Sequence, residues 1–236
     1  MADSLRMRDH FVGDDGRLDL AKLLAATPFP VYGLKGRPMG LRLRSPGQGS
    51  RGLGEAVVIR ISLGYVSGDP YEPEKAVHIV QSSSEEDNLG RDLHRGGAFP
   101  DLSSIKNLIA NYAPRGLREK DPFFRDFHRD WNVERLENTP RQLATIRVNG
   151  IDVEVQFISF DTPHRVIVAN LTIGTDSLTV AALNVSWDDL RQALSSLVVL
   201  RDDQEALAAH QEDFDEASQL LRERYSGGSH DDGHRT

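Results

Sequence analysis

Asn149-Gly150, set between the segments 143–148 and 151–160, is the feature that most narrows what this chain can fold into. A two-residue type I′ turn needs two residues at positive φ, and Asn-Gly supplies both at little steric cost. Closing a hairpin there fixes its register, and the register makes a demand on composition. Val148 then faces Ile151, Ile146 faces Val153 and Ala144 faces Val155, all apolar, while Arg147 meets Asp152 and Thr145 meets Glu154, all polar. Both strands agree on which side is core, which predicts an antiparallel sheet buried on at least one face.

The rest of the chain extends that sheet. Strands are predicted over 31–34, 39–44, 56–66 and 76–81, and again over 165–172 and 177–185, from β-branched or alternating character between turn residues. The glycine- and proline-rich stretch 45–54 reads as a flexible connection. Helical periodicity predicts a short helix over 18–26, one over 103–114 with Ile105, Leu108, Ile109 and Tyr112 on one face, and one over 122–136 carrying Phe123, Phe124, Phe127 and Trp131. Ser186, followed by Trp187, Asp188 and Asp189, reads as the N-cap of a helix whose apolar face runs Leu190, Ala193, Leu194, Leu197 and Val198. A final acidic helix spans about 203–225.

The expectation is an α+β fold: antiparallel sheet or sheets with helices packed on one face, and strand-rich regions at 31–82 and 143–185. A chain of 236 residues accommodates one or two domains. The layout expected is a loose start over 1–15, a body over 16–200 with a potential division near 120, the acidic amphipathic helix over 201–225 and a polar tail over 226–236.

Composition then excludes whole classes of function. With no cysteine there is no disulfide framework, no thiolate zinc site and no cysteine nucleophile. No apolar run approaches the roughly 18 residues of a spanning helix, and the first residues lack the apolar core of a secretion signal, so a cytoplasmic location without membrane contact is expected. In that setting the glycosylation patterns at Asn170 and Asn184 read as chance. The net charge of −8 makes duplex DNA a poor partner, since phosphate neutralisation dominates such binding. That charge is polarised. Residues 1–51 carry nine Lys/Arg against five Asp/Glu, a net +4, whereas 201–236 carry four against ten, a net −6.

Several motifs fail on context. Gly47-Gln-Gly-Ser-Arg-Gly52 fits a dinucleotide fingerprint, but a strand and not a helix follows it, so no helix N-terminus meets a pyrophosphate. His128-Arg-Asp130 matches the kinase triplet, yet Arg135 stands where asparagine is required and no Asp-Phe-Gly follows. Asp152 and Glu154 share one strand face, but Gln156 replaces the lysine that a metal-dependent nuclease places next, and Arg147 offers a plain ion pair. The histidines are scattered, and His230 and His234 lie in a glycine-rich tail, so neither a metal nor a cofactor is expected.

Three functional readings follow. The first is a non-catalytic recognition or regulatory protein acting through contacts with another protein or with itself. Its contact surfaces would be the loop 82–101 and the C-terminal helix, where Leu207, Phe214 and Leu221 recur at seven-residue spacing. A basic head and an acidic tail that pair between subunits would favour a homodimer. The second is an enzyme or binding protein that holds an anionic small molecule near Lys35, Arg37, Arg42, Arg44 and Arg51, with His94 or His128 as the base. The third is single-stranded nucleic-acid binding by the aromatics of 123–131 interleaved with Arg125 and Arg129.

Overall fold

The computed structural model describes residues 11–13, 17–50, 58–83, 139–160 and 165–227. The loop 82–101 beyond Ser83, the two helices expected within 103–136, and His94, His128 and Arg51 lie outside the described residues. Within them the order is α1 (Leu20–Ala25), β1 (Tyr32–Leu34), β2 (Arg42–Ser50), β3 (Val58–Gly68), β4 (Pro73–Ser83), β5 (Gln142–Val148), β6 (Ile151–Phe160), β7 (Val166–Ile173), β8 (Asp176–Leu183), α2 (Trp187–Ser195), β9 (Leu197–Val199) and α3 (Gln204–Gly227). The fold is α+β.

The two strand-rich regions share one sheet. Its order is β2-β3-β4-β8-β7-β6-β5, antiparallel throughout, with β4 and β8 joining the halves along Ala76↔Leu183 to Ser83↔Asp176. The Asn149-Gly150 hairpin has the register its sequence demands, Val148↔Ile151 through Gln142↔Phe157, with Asn149 at φ 50° and Gly150 at φ 81°. Ile151 departs from expectation: Val148 is fully buried, but its pair Ile151, on the next strand, is 61% exposed.

One sheet face carries the main core. Leu43, Tyr65, Val77, Ala182 and Ile167 form one row across it, and Leu63, Ile79, Val180, Ala169 and Phe157 the next. Against these pack Leu20, Leu23 and Leu24 of α1, Leu190, Ala193 and Leu194 of α2, and a small ribbon in which β1 pairs with β9. Trp187 stacks on Phe157 with centroids 3.7 Å apart. Ser186 caps α2 as expected, its hydroxyl accepting from the Asp189 amide at 3.1 Å. The helix is shorter than its apolar pattern suggested: Ser196 ends it, and Leu197 and Val198 belong to β9, where they bury by pairing with β1. On the opposite sheet face Val66, Ala76, His78, Ala181, Leu183, Val166, Val168 and Ile158 are buried as well.

The stretch 45–54 is corrected too, since its first half is strand. Pro46, Gly47 and Gly49 lie in β2, which pairs with β3 through two irregularities, at Leu43/Ser45 and Gly49/Ser50. Proline and glycine fit an edge strand with bulges, where a ladder donor is dispensable. A Cβ at Gly47 would meet the Ser62 hydroxyl, which would have to turn to another rotamer.

Candidate functional site

Helix α3 lies along β2 and roofs a cleft of about 260 Å³, lined by residues of β1, the β1–β2 connection, β3 and α3 itself. The cleft follows from which face of α3 is buried. Ala206, His210, Asp213 and Ala217 recur at 4-3-4 spacing and form the buried seam, although two of them are polar. Leu207 and Phe214 flank that seam, half-buried against the protein's own core, and Leu221 is half-buried further along. On the same flank Gln211 accepts from the Leu20 amide at 2.9 Å and donates to the Leu18 carbonyl at 3.0 Å, tying α3 to the start of α1.

Inside the cleft three polar groups are chained. His210 Nδ1 lies 2.6 Å from the Ala206 carbonyl, an acceptor, so Nδ1 carries the proton and Nε2 accepts from Tyr65 Oη at 2.9 Å. Tyr65 Oη in turn accepts from the Leu34 amide at 3.3 Å. Burial pushes the Tyr65 phenol well up and holds the His210 imidazole below its ordinary value, so both are neutral near pH 7. The approach is close: a Cβ on Gly33 would lie 2.8 Å from His210 Nε2, so β1 needs glycine there. Tyr65→Phe leaves the Leu34 amide and His210 Nε2 without this partner, and should lower the unfolding free energy in urea by about 1–2 kcal/mol.

The mouth of the cleft gathers the charges of both chain ends. Lys35 reaches Asp203 at 2.6 Å, and Asp203 also caps α3 by accepting from the Ala206 amide at 3.0 Å. Arg37 lies 2.8 Å from Asp213 and 3.0 Å from Glu212, and Arg42 lies 2.6 Å from Glu216. Asp213 also takes a hydrogen bond from the Leu43 backbone. Burial raises the Asp213 carboxyl despite the attraction of Arg37 and Arg42, while Asp213 holds the Arg37 guanidinium further up. Arg37 occupies the left-handed region at φ 51°, as do Gly36, Met39 and Gly40 beside it. The ion pairs hold this connection in a conformation that costs a non-glycine residue about 1 kcal/mol.

Of the basic residues predicted to hold an anion, the structure brings Lys35 and Arg37 to the cleft, sets Arg42 beside α3 and leaves Arg44 half-buried on β2. Lys35, Arg37 and Arg42 are already met by carboxylates of α3. The basic head and acidic tail therefore pair within one chain. Tyr65, His210 and Asp213 were missed by sequence reasoning; the 4-3-4 spacing of the seam was the available signal, hidden because the larger apolar residues sit on its flank. No group of metal-ligating side chains exists among the described residues, and none of their helices is long and apolar enough to cross a membrane.

The two sheet edges differ sharply. At β2 the edge carries Pro46, two irregularities, the Arg37 and Arg42 ion pairs and the length of α3. At β5 the register with β6 is unbroken, and the strand contains no proline. Among the described residues no strand pairs with its outer side. Among the described residues the exposed large apolar side chains are Leu143 at 63%, Ile151 at 61% and Leu220 at 43%, and the first two belong to the β5–β6 hairpin.

No protein-family model matches this sequence, and no curated protein matches it significantly.

Proposed function

We propose that this protein is a non-catalytic recognition protein that works through protein–protein contacts, with the outer edge of β5 as its contact surface. The observation that carries this reading is the contrast between the edges. A sheet edge presents unpaired N–H and C=O groups that template another strand, and proteins usually blunt it with proline, bulges, charge or a covering element. Among the described residues β2 has all of these, and β5 has the charges of Arg141 and Arg147 flanking an exposed leucine. An extended segment of a partner adding to β5 would gain main-chain hydrogen bonds, with Leu143 supplying apolar contact.

The turn type says which residues would pair. In a two-residue hairpin Val148 and Ile151 exchange hydrogen bonds, so Val148, Ile146 and Ala144 point their backbone groups at β6. Leu143, Thr145 and Arg147 point theirs outward. Thr145→Pro therefore deletes an outward donor and spares the hairpin, a substitution an edge strand tolerates. The test is to select short linear peptides on the protein from a random display library. Binders are expected to lose at least tenfold in affinity for Thr145→Pro while its circular dichroism matches the parent. Binders that ignore Thr145→Pro would defeat the reading.

A second reading, an anionic ligand in the cleft, draws support from Lys35 and Arg37 at its mouth. An anion must there displace Asp203, Glu212 or Asp213 from its cation, which opposes binding. A melting-point rise with phosphorylated metabolites that vanishes in Arg37→Gln would favour this reading over the first.

A further inference from the structure

Resting on the β5-edge reading, we propose that the strand β5 takes is the β5 of a second copy of this chain, giving a two-fold dimer with one continuous fourteen-stranded sheet, two sets of the seven strands described. The argument is the self-complementarity of the edge. A two-fold contact places the same patch on both subunits, and one strand meeting itself about a two-fold normal to the sheet runs antiparallel. The outward backbone groups belong to Leu143, Thr145 and Arg147, which are evenly spaced about Thr145.

Centring the axis on Thr145 pairs all three outward residues. Thr145 exchanges two hydrogen bonds with its own copy, and Leu143 exchanges two with Arg147 of the copy at each end. Side chains on that face then meet as Thr145 with Thr145 and Leu143 with Arg147, where the arginine stem can lie over the leucine. Asp152, 4.0 Å from Arg147 on the adjacent strand, offsets the arginine charge. Two alternative registers are worse. Centring on Ala144 sets Arg141 against Arg147, and centring on Arg147 sets two guanidiniums against each other, both like-charge pairs directly opposite. On the core face the same register puts Ala144 beside Ile146 of the copy, continuing the apolar row above α2. The other edge offers no such partner, since α3 and its ion pairs lie along β2.

Sedimentation equilibrium of the full chain from low to high micromolar concentration tests this. The expected mass at high concentration is twice 26.3 kDa, falling to a single chain in Thr145→Pro. Two further variants at an exposed position report the register without touching the core. Leu143→Glu, set opposite Arg147 of the copy, should tighten the dimer about threefold or more, and Leu143→Lys should loosen it by at least as much. A chain that stays monomeric, a dimer that survives Thr145→Pro, or one in which the Glu and Lys variants behave alike overturns the proposal. A monomer that still selects peptides sensitive to Thr145→Pro overturns the self-pairing alone and leaves the edge reading standing. A monomer that selects none overturns both.

Discussion

Gln81→Leu is expected to lower the unfolding free energy by about 2–5 kcal/mol, although it exchanges one polar side chain for an apolar one of similar size in a site that is 1% exposed. Gln81 sits on the core face of β4 among Ile61, Ile79 and Leu178. Its amide does the work of a strand: Oε1 accepts from the Tyr32 N–H at 2.7 Å and Nε2 donates to the Tyr32 carbonyl at 2.8 Å. The β1–β9 ribbon is thereby hydrogen-bonded to the underside of the large sheet. Leucine restores the volume and strands two buried backbone groups, each costing roughly 1–3 kcal/mol. Gln81→Glu keeps the acceptor and adds a buried charge, and should be at least as damaging. Urea unfolding followed by circular dichroism measures both, and a Leu variant within 1 kcal/mol of the parent would mean that the Tyr32 groups find other partners.

Gln81 also marks the boundary of what the sequence discloses. Period-2 alternation and turn chemistry are local, so the 142–160 hairpin, its register and the capped helix after Ser186 are legible. The pairing of β4 with β8 joins residues about a hundred positions apart, and nothing in either strand's composition selects the other. A glutamine between valine and serine reads as the fading end of a strand until β1 is seen beneath it. The same holds for the cleft: Tyr65 and His210 meet across 145 residues of chain, and Leu207, Phe214 and Leu221 drew attention to the flank of α3 because they are large. Pro46, Gly47 and Gly49 misled for a different reason. Breaker residues mark loops in general, but on an edge strand they are the means of keeping the edge unpaired. Charge, by contrast, was legible as polarity and silent as geometry. The excess of arginine at one end and of carboxylate at the other is plain in the sequence, yet only the course of α3 along β2 makes the two ends partners.

Acidification should destabilise the protein well before its carboxylates titrate as a group. Burial between Gly64 and Ala181 pushes the His78 imidazole down to about 4 from an ordinary 6.5, and burial in the cleft lowers His210 as well. Both are neutral when folded, whereas the unfolded chain takes up their protons near 6.5. Stability is therefore complete above pH 6.5 and falls as pH drops, because the unfolded state then binds more protons. For His78 the loss accumulates down to about pH 4 and then stops; the difference between the two values corresponds to about 3 kcal/mol. The buried carboxyls of Asp213 and Asp176, raised by desolvation, act in the opposite sense: each favours the folded state at low pH and loses that contribution as pH rises through its elevated value. They flatten the lower part of the decline. Urea unfolding at intervals from pH 7.5 to 4 should follow this course, and His78→Leu should remove the larger part of the slope whatever it does to stability at neutral pH. An unchanged slope in that variant would mean that His78 meets solvent or a cation-stabilising group when protonated, and that the buried sheet face around it opens before the rest of the fold.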